Sequence, residues 1–92
     1  MLDWNYRSLS DAGGSTGRLD PKTRELIALG VAVTRQCDGC IVVHTDAAVK
    51  HGATREEVAD ALGIAIAVNA GAALVYSARA LDAFAAKTTQ TS

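Results

Sequence analysis

Between Ala61 and Ala78 the chain runs 18 residues without a single charge. A stretch of that length touches the lower bound for a helix that crosses a bilayer. Asn69, Gly63, Gly71, Tyr76 and Ser77 interrupt it, and its many alanines carry little apolar bulk. It therefore reads as part of a buried helical pair and not as a membrane span. The first member runs from about Arg55 to Val68, Asn69-Ala70-Gly71 forms a break, and the second runs from Ala72 to about Ala86. Leu74, Ala78, Leu81 and Ala85 recur at three- and four-residue steps, which puts them on one helical face.

Ninety-two residues make one small domain. Alone, such a domain buries only a modest fraction of its surface. Yet 49% of the residues are hydrophobic and only 4% aromatic. The expectation is tight alanine-rich helix packing, with part of the apolar surface buried between subunits. The net charge of -1 and the scatter of Arg18, Lys22, Arg24 and Arg35 among acids argue against nucleic-acid binding. Met1 to Asn5 has no apolar signal-peptide core, so a cytoplasmic location is expected. In a reducing compartment, two closely spaced cysteines are more often catalytic or metal-binding than a permanent staple.

Helix punctuation organises the remainder. Residues 1–18 read as an irregular glycine-containing arm, with a short helical turn near Trp4 to Leu9 whose Trp4 and Tyr6 could pack on the domain. Asp20-Pro21 is a helix start: the carboxylate can accept orphan amide bonds, and proline at the first position lacks a donor that would go unused anyway. That helix extends to about Arg35. A second begins near Cys37 or Asp38 and ends at His51, with Gly52 supplying the left-handed residue after it. Thr54-Arg55-Glu56-Glu57 matches a capping box. Residues 87–92 read as a polar, frayed tail. The fold expected is all-α, built from short antiparallel helices.

The chemistry gathers in Cys37-Asp38-Gly39-Cys40-Ile41-Val42-Val43-His44. Cysteines three apart at a helix start can reach each other, and the helix dipole with its free amides stabilises a thiolate there. Steps of about 100° put Cys37, Cys40 and His44 on one stripe. His44 can act as a general base beside the sulfurs. Three readings stay open: a redox dithiol, a zinc site that needs a further ligand, and two buried thiols in an apolar core. His51 is about 10 Å beyond His44 along a helix and reads as a C-terminal helix residue. Glu25 is either a solvated acid that favours the helix dipole or an inward group that transfers protons. Asp38 and Arg35 read as residues that tune local charge.

Taken together, Leu19-Asp20-Pro21-Lys22-Thr23-Arg24-Glu25-Leu26-Ile27-Ala28-Leu29, the Cys37–Cys40 motif with His44, Gly52-Ala53-Thr54-Arg55-Glu56-Glu57-Val58 and Ala61-Leu62-Gly63 resemble the carboxymuconolactone decarboxylase and AhpD-like alkylhydroperoxidase family. The resemblance covers Leu19 to about Phe84, and residues 19–86 are expected to form its helical domain. It implies an all-helical protein that assembles as a trimer or hexamer. It also implies that Cys40 attacks peroxide, that Cys37 resolves the product to a disulfide, and that Glu25 and His44 form the proton relay. Gly39 departs from the hydroperoxidase form, which carries a histidine immediately before the second cysteine; no side chain at position 39 can pass a proton. The decarboxylase branch typically lacks the cysteine pair.

The function expected is a thiol-dependent peroxidase or disulfide oxidoreductase without a cofactor. Its partners would be a hydroperoxide or other small oxidant and an external thiol reductant, with no nucleic acid and no membrane. The competing readings are a noncatalytic redox-sensing oligomer, a decarboxylase-like enzyme and a zinc-binding structural module.

Overall fold

The computed structural model describes residues 17–90 and, before them, Leu9. The described residues form three helices: α1 (Pro21–Thr34), α2 (Asp38–Lys50) and α3 (Arg55–Gln90). The expectations for Trp4 and Tyr6 fall outside these residues.

α1 starts as its sequence dictates. The Asp20 carboxylate accepts the Thr23 amide at 2.7 Å, and Pro21 takes the first helical position. The helix ends in a paired-bond C-cap. The Gln36 amide donates to the Val33 carbonyl, and the Cys37 amide donates to the Ala32 carbonyl. Gln36 sits at φ 54°, in the left-handed region. α2 ends the same way, with Gly52 at φ 87° and bonds from Gly52 to Val49 and from Ala53 to Ala48. His51 is the C-cap of α2, as its place beside Gly52 predicts.

α3 opens with the expected capping box. The Glu57 amide donates to Thr54 Oγ1, and the Thr54 amide donates to Glu57 Oε1. Beyond that the structure corrects the sequence reading. No break occurs at Asn69-Ala70-Gly71, and the two expected short helices are one helix of 36 residues. Asn69 spends its side-chain amide on the Ala65 carbonyl and on Thr34 Oγ1 of α1, so it anchors the helix where it was expected to end it. Gly63 and Gly71, both interior to α3, cost about 1 kcal/mol each relative to alanine, which a run of good helix formers can absorb. The expected frayed tail is helical as far as Gln90. The Thr88 and Thr89 hydroxyls fold back onto the Phe84 and Ala85 carbonyls.

The architecture is thus a three-helix, all-α domain in which α1 packs against both α2 and the first half of α3. The buried apolar residues among those described are Leu29, Ala32 and Ala48. Small side chains let the helices approach closely: a Cβ on Gly30 would meet that of Ala65 at 3.6 Å. The Lys22–Glu57 ion pair, 2.8 Å long, ties the start of α1 to the start of α3. From Ile66 to Thr89 every residue of α3 is exposed. The radius of gyration is 18.7 Å, against about 12 Å for a compact chain of this length. By length and composition α3 could cross a membrane.

Candidate active site

The site lies where α1 hands the chain to α2. The α1 C-cap leaves Cys37 as the second residue beyond the helix, and the same residue is the N-cap of α2. Its Sγ accepts the Cys40 amide at 3.3 Å, and its carbonyl accepts the Ile41 amide at 3.0 Å. Cys37 and Cys40 are joined as a disulfide with a Cα–Cα distance of 5.3 Å, inside the range such a bond requires. One sulfur therefore sits at the positive end of the α2 dipole, the surroundings that stabilise a thiolate.

One turn after Cys40, His44 projects from α2 toward α1 and meets Glu25, with His44 Nδ1 2.6 Å from Glu25 Oε1. A carboxylate oxygen can only accept, so Nδ1 is the donor in this contact and Nε2 lies outside it. Both side chains are about four-fifths buried. Glu25 is the fifth residue of α1, past its first turn, and the bland reading of a solvated dipole acid does not hold.

Cys37, Cys40 and His44 line one small pocket of about 290 Å³ together with Ala28, Val31, Ala32 and Arg35. The expected stripe on α2 is thus present. Glu25, Ala28, Ala32 and Arg35 follow helical spacing from α1 to its C-cap, and the last three of them supply the opposite wall. Sequence reasoning gave Arg35 only a charge-tuning role; the stripe that begins at Glu25 is the signal that could have placed it at the pocket. Asp38 is the first residue of α2, an acid at the positive helix end. Gly39 is exposed, and a Cβ there would meet nothing within 4 Å.

Among the described residues, no group of three or more His, Cys, Asp or Glu side chains is arranged to hold a metal ion. The Cys37–Cys40 bond and the His44–Glu25 contact occupy the side chains from which the zinc reading was built.

The sequence profile of the carboxymuconolactone decarboxylase family matches residues 2–83. The chain belongs to that family. Within it, the closely spaced cysteine pair is consistent with the AhpD-like branch that carries CxxC. An uncharacterized protein of Haemophilus influenzae is 55% identical over 79 residues, which cover 86% of this chain and 70% of that one. An uncharacterized protein of Cupriavidus necator is 37% identical over 79 residues, with the same coverage. A protein of Paracoccus denitrificans named uncharacterized protein 4 in cox locus is 38% identical over 80 residues, 87% of this chain and 72% of its own. Family membership and the cysteine pair together support redox, disulfide-based chemistry.

Proposed function

We propose that the chain is a thiol-dependent hydroperoxidase of the AhpD-like type. The observation that carries this reading is the Cys37–Cys40 disulfide sharing a pocket with His44, whose Nδ1 lies 2.6 Å from Glu25 Oε1. In the reduced protein the Cys40 thiolate attacks the O–O bond of a hydroperoxide. The S–O bond forms, the O–O bond breaks, and the alcohol leaves after taking a proton. Cys40 is then a sulfenic acid. The Cys37 thiolate, stabilised at the α2 N-cap, attacks that sulfur and expels the oxygen as water. His44 supplies and recovers the protons through Nε2, while Glu25 fixes its tautomer and stabilises the imidazolium. An external thiol reductant returns two electrons and two protons.

Reacting the reduced protein with one equivalent of cumene hydroperoxide and following the intact mass tests this. The expected product has lost two hydrogens and carries one Cys37–Cys40 disulfide. Cys40→Ser abolishes it, and His44→Ala slows it on the order of 10²-fold. Oxidation no faster than that of an unstructured CxxC peptide would sink the peroxidase reading.

A second reading draws on Gly39. The space above its Cα is open, so a protein dithiol could approach the disulfide there directly. The chain would then act as a disulfide oxidoreductase between protein partners. Rapid reduction by a thioredoxin-type dithiol combined with slow reaction toward peroxide would favour it.

A further inference from the structure

We propose that Arg35 selects the substrate: the dithiol pocket takes a small organic hydroperoxide whose apolar group carries a carboxylate, and the guanidinium holds that carboxylate. This rests on the hydroperoxidase reading above and adds to it the class of hydroperoxide.

The pocket is small, and its aliphatic walls leave the space open. Ala28, Val31 and Ala32 of α1 face the two cysteines and His44 across about 290 Å³. Two of those three positions are alanine, where larger side chains would fill the cavity. A cavity of about 150 Å³ holds one benzene molecule. The volume here therefore admits an aryl or branched alkyl group with its substituents, and it does not enclose a long acyl chain.

One residue of the wall carries a permanent charge. Arg35 lines this pocket and also the larger cavity between α1 and α3, and it is the only Lys or Arg among the residues that line either. It stands where the two cavities meet, at the mouth of the dithiol pocket. Its backbone is fixed, because as the C-cap of α1 its amide donates to the Val31 carbonyl at 2.9 Å. Its side chain is exposed and takes part in no ion pair among the described residues. A cation at a helix C-terminus also favours the dipole. That accounts for a charge at this position but not for its place on the wall of the redox pocket.

The surrounding charges leave an anion one place to go. Glu25 is engaged by His44, and Asp38 opens α2, so both acids repel a second carboxylate. The first turn of α2 is the other positive feature of the site. There Cys37 Sγ already accepts the Cys40 amide, and Asp38 adds its negative charge. Arg35 remains, and its planar fork can take both oxygens of a carboxylate at once. With the carboxylate at the mouth, the peroxide end points inward to Cys40 and His44. The Cys40 sulfur then forms the S–O bond, the O–O bond breaks, and the carboxylated alcohol leaves with a proton. The carboxylate itself is neither oxidised nor reduced.

The para-carboxylic acid of cumene hydroperoxide and its methyl ester test this, because they differ in charge and little in bulk. Each is mixed with the reduced chain, and disulfide formation is followed by rapid quench and intact mass. Each rate is divided by that of an unstructured CxxC peptide with the same compound. In about 20 mM salt the acid should be favoured about fivefold over the ester, as expected of an exposed charge pair. In about 0.5 M salt the preference should fall below about twofold. Arg35→Gln should bring the ratio to about one, and Arg35→Glu should invert it, as charge complementarity requires. A role confined to stabilising the thiolate would slow both compounds together and leave the ratio unchanged, which overturns the proposal. A wild-type ratio of one at low salt overturns it as well, and that measurement needs no variant to fold. If the ester outpaces the peptide and the acid gains nothing, the assignment of Arg35 fails alone. If neither compound outpaces the peptide, the hydroperoxidase reading fails and this inference falls with it.

Discussion

The two junctions between helices follow one plan and differ in the residues that carry it out. Each ends a helix with the same pair of carbonyl-satisfying bonds, turns through one left-handed residue and enters the next helix through an N-cap side chain. At the α2–α3 junction the left-handed residue is Gly52, and the cap is Thr54 in a reciprocal box with Glu57. At the α1–α2 junction it is Gln36, a residue with a Cβ, and the cap is a cysteine sulfur. The second junction uses the residues that local energetics favour. The first departs from them at both positions, and the departure coincides with the chemistry. It also compresses the turn, since Cys37 serves as the last residue of one cap and the first of the next.

The sharpest way to break this comparison is Cys37→Ser. Serine is a better N-cap than cysteine, so the variant should match or exceed the reduced wild type in urea midpoint. It should nonetheless lose all disulfide-forming turnover, read by intact mass. A large fall in midpoint would mean that Cys37 is retained for stability rather than for chemistry.

Next in size is the contrast between the two left-handed residues. No neighbour obstructs a Cβ at position 52, so Gly52→Val carries only the backbone cost and should destabilise by about 1–2 kcal/mol. Gln36→Gly should act in the opposite sense, stabilising by about 0.5–1 kcal/mol once the entropy of glycine is set against the relieved strain. Paired urea curves read both, and effects of the same sign would show that the two turns are not equivalent in the way their bonds indicate.

The smallest effect separates the junctions by pH. The Asp20 carboxyl is held below its ordinary value, first by the bond from the Thr23 amide. Glu57 is held low, first by its bond to Lys22 and then by the Thr54 amide. Lys22 is raised, first by its bond to Glu57. A depressed carboxyl adds stability that is fully present above its ordinary value, 3.8 for Asp20 and 4.5 for Glu57, and is lost as pH falls through the folded-state value. A raised lysine adds stability that is present below 10.5 and is lost as pH rises through its folded-state value. Thermal unfolding should therefore show a plateau between these limits with a shallow decline at each end. Glu57→Gln should flatten both declines, leaving only the part of the acid decline that Asp20 contributes, while Cys37→Ser leaves them in place.

What was legible in the sequence was local. Asp20-Pro21, Gly52 and the Thr54–Glu57 box are codes read within four residues, and each stands where it was expected. The cysteine–histidine stripe was legible too, because helical period alone aligns it. The misreading at Asn69-Ala70-Gly71 has a nonlocal cause. Asn69 keeps α3 continuous partly through Thr34, 35 residues earlier, and no window around Asn69 contains that partner. The Lys22–Glu57 pair, equally distant in sequence, went unseen for the same reason. The pairing of Glu25 with His44 lies between these cases: its 19-residue separation hides it from periodicity, and only the family resemblance pointed to it. Gln36 left no signal, since a glutamine does not announce a positive φ.

The disulfide closes a loop within a single helical turn. Opening so small a loop returns only about 2 kcal/mol of chain entropy to the unfolded state, less than half of what a hundred-residue loop returns. The contacts that hold α1 against α3, such as Lys22–Glu57 and Thr34–Asn69, do not pass through the sulfur bond. By that arithmetic a reduced molecule would populate its unfolded form on the order of tenfold more than an oxidised one, so a protease that cleaves the open chain would tell the two apart.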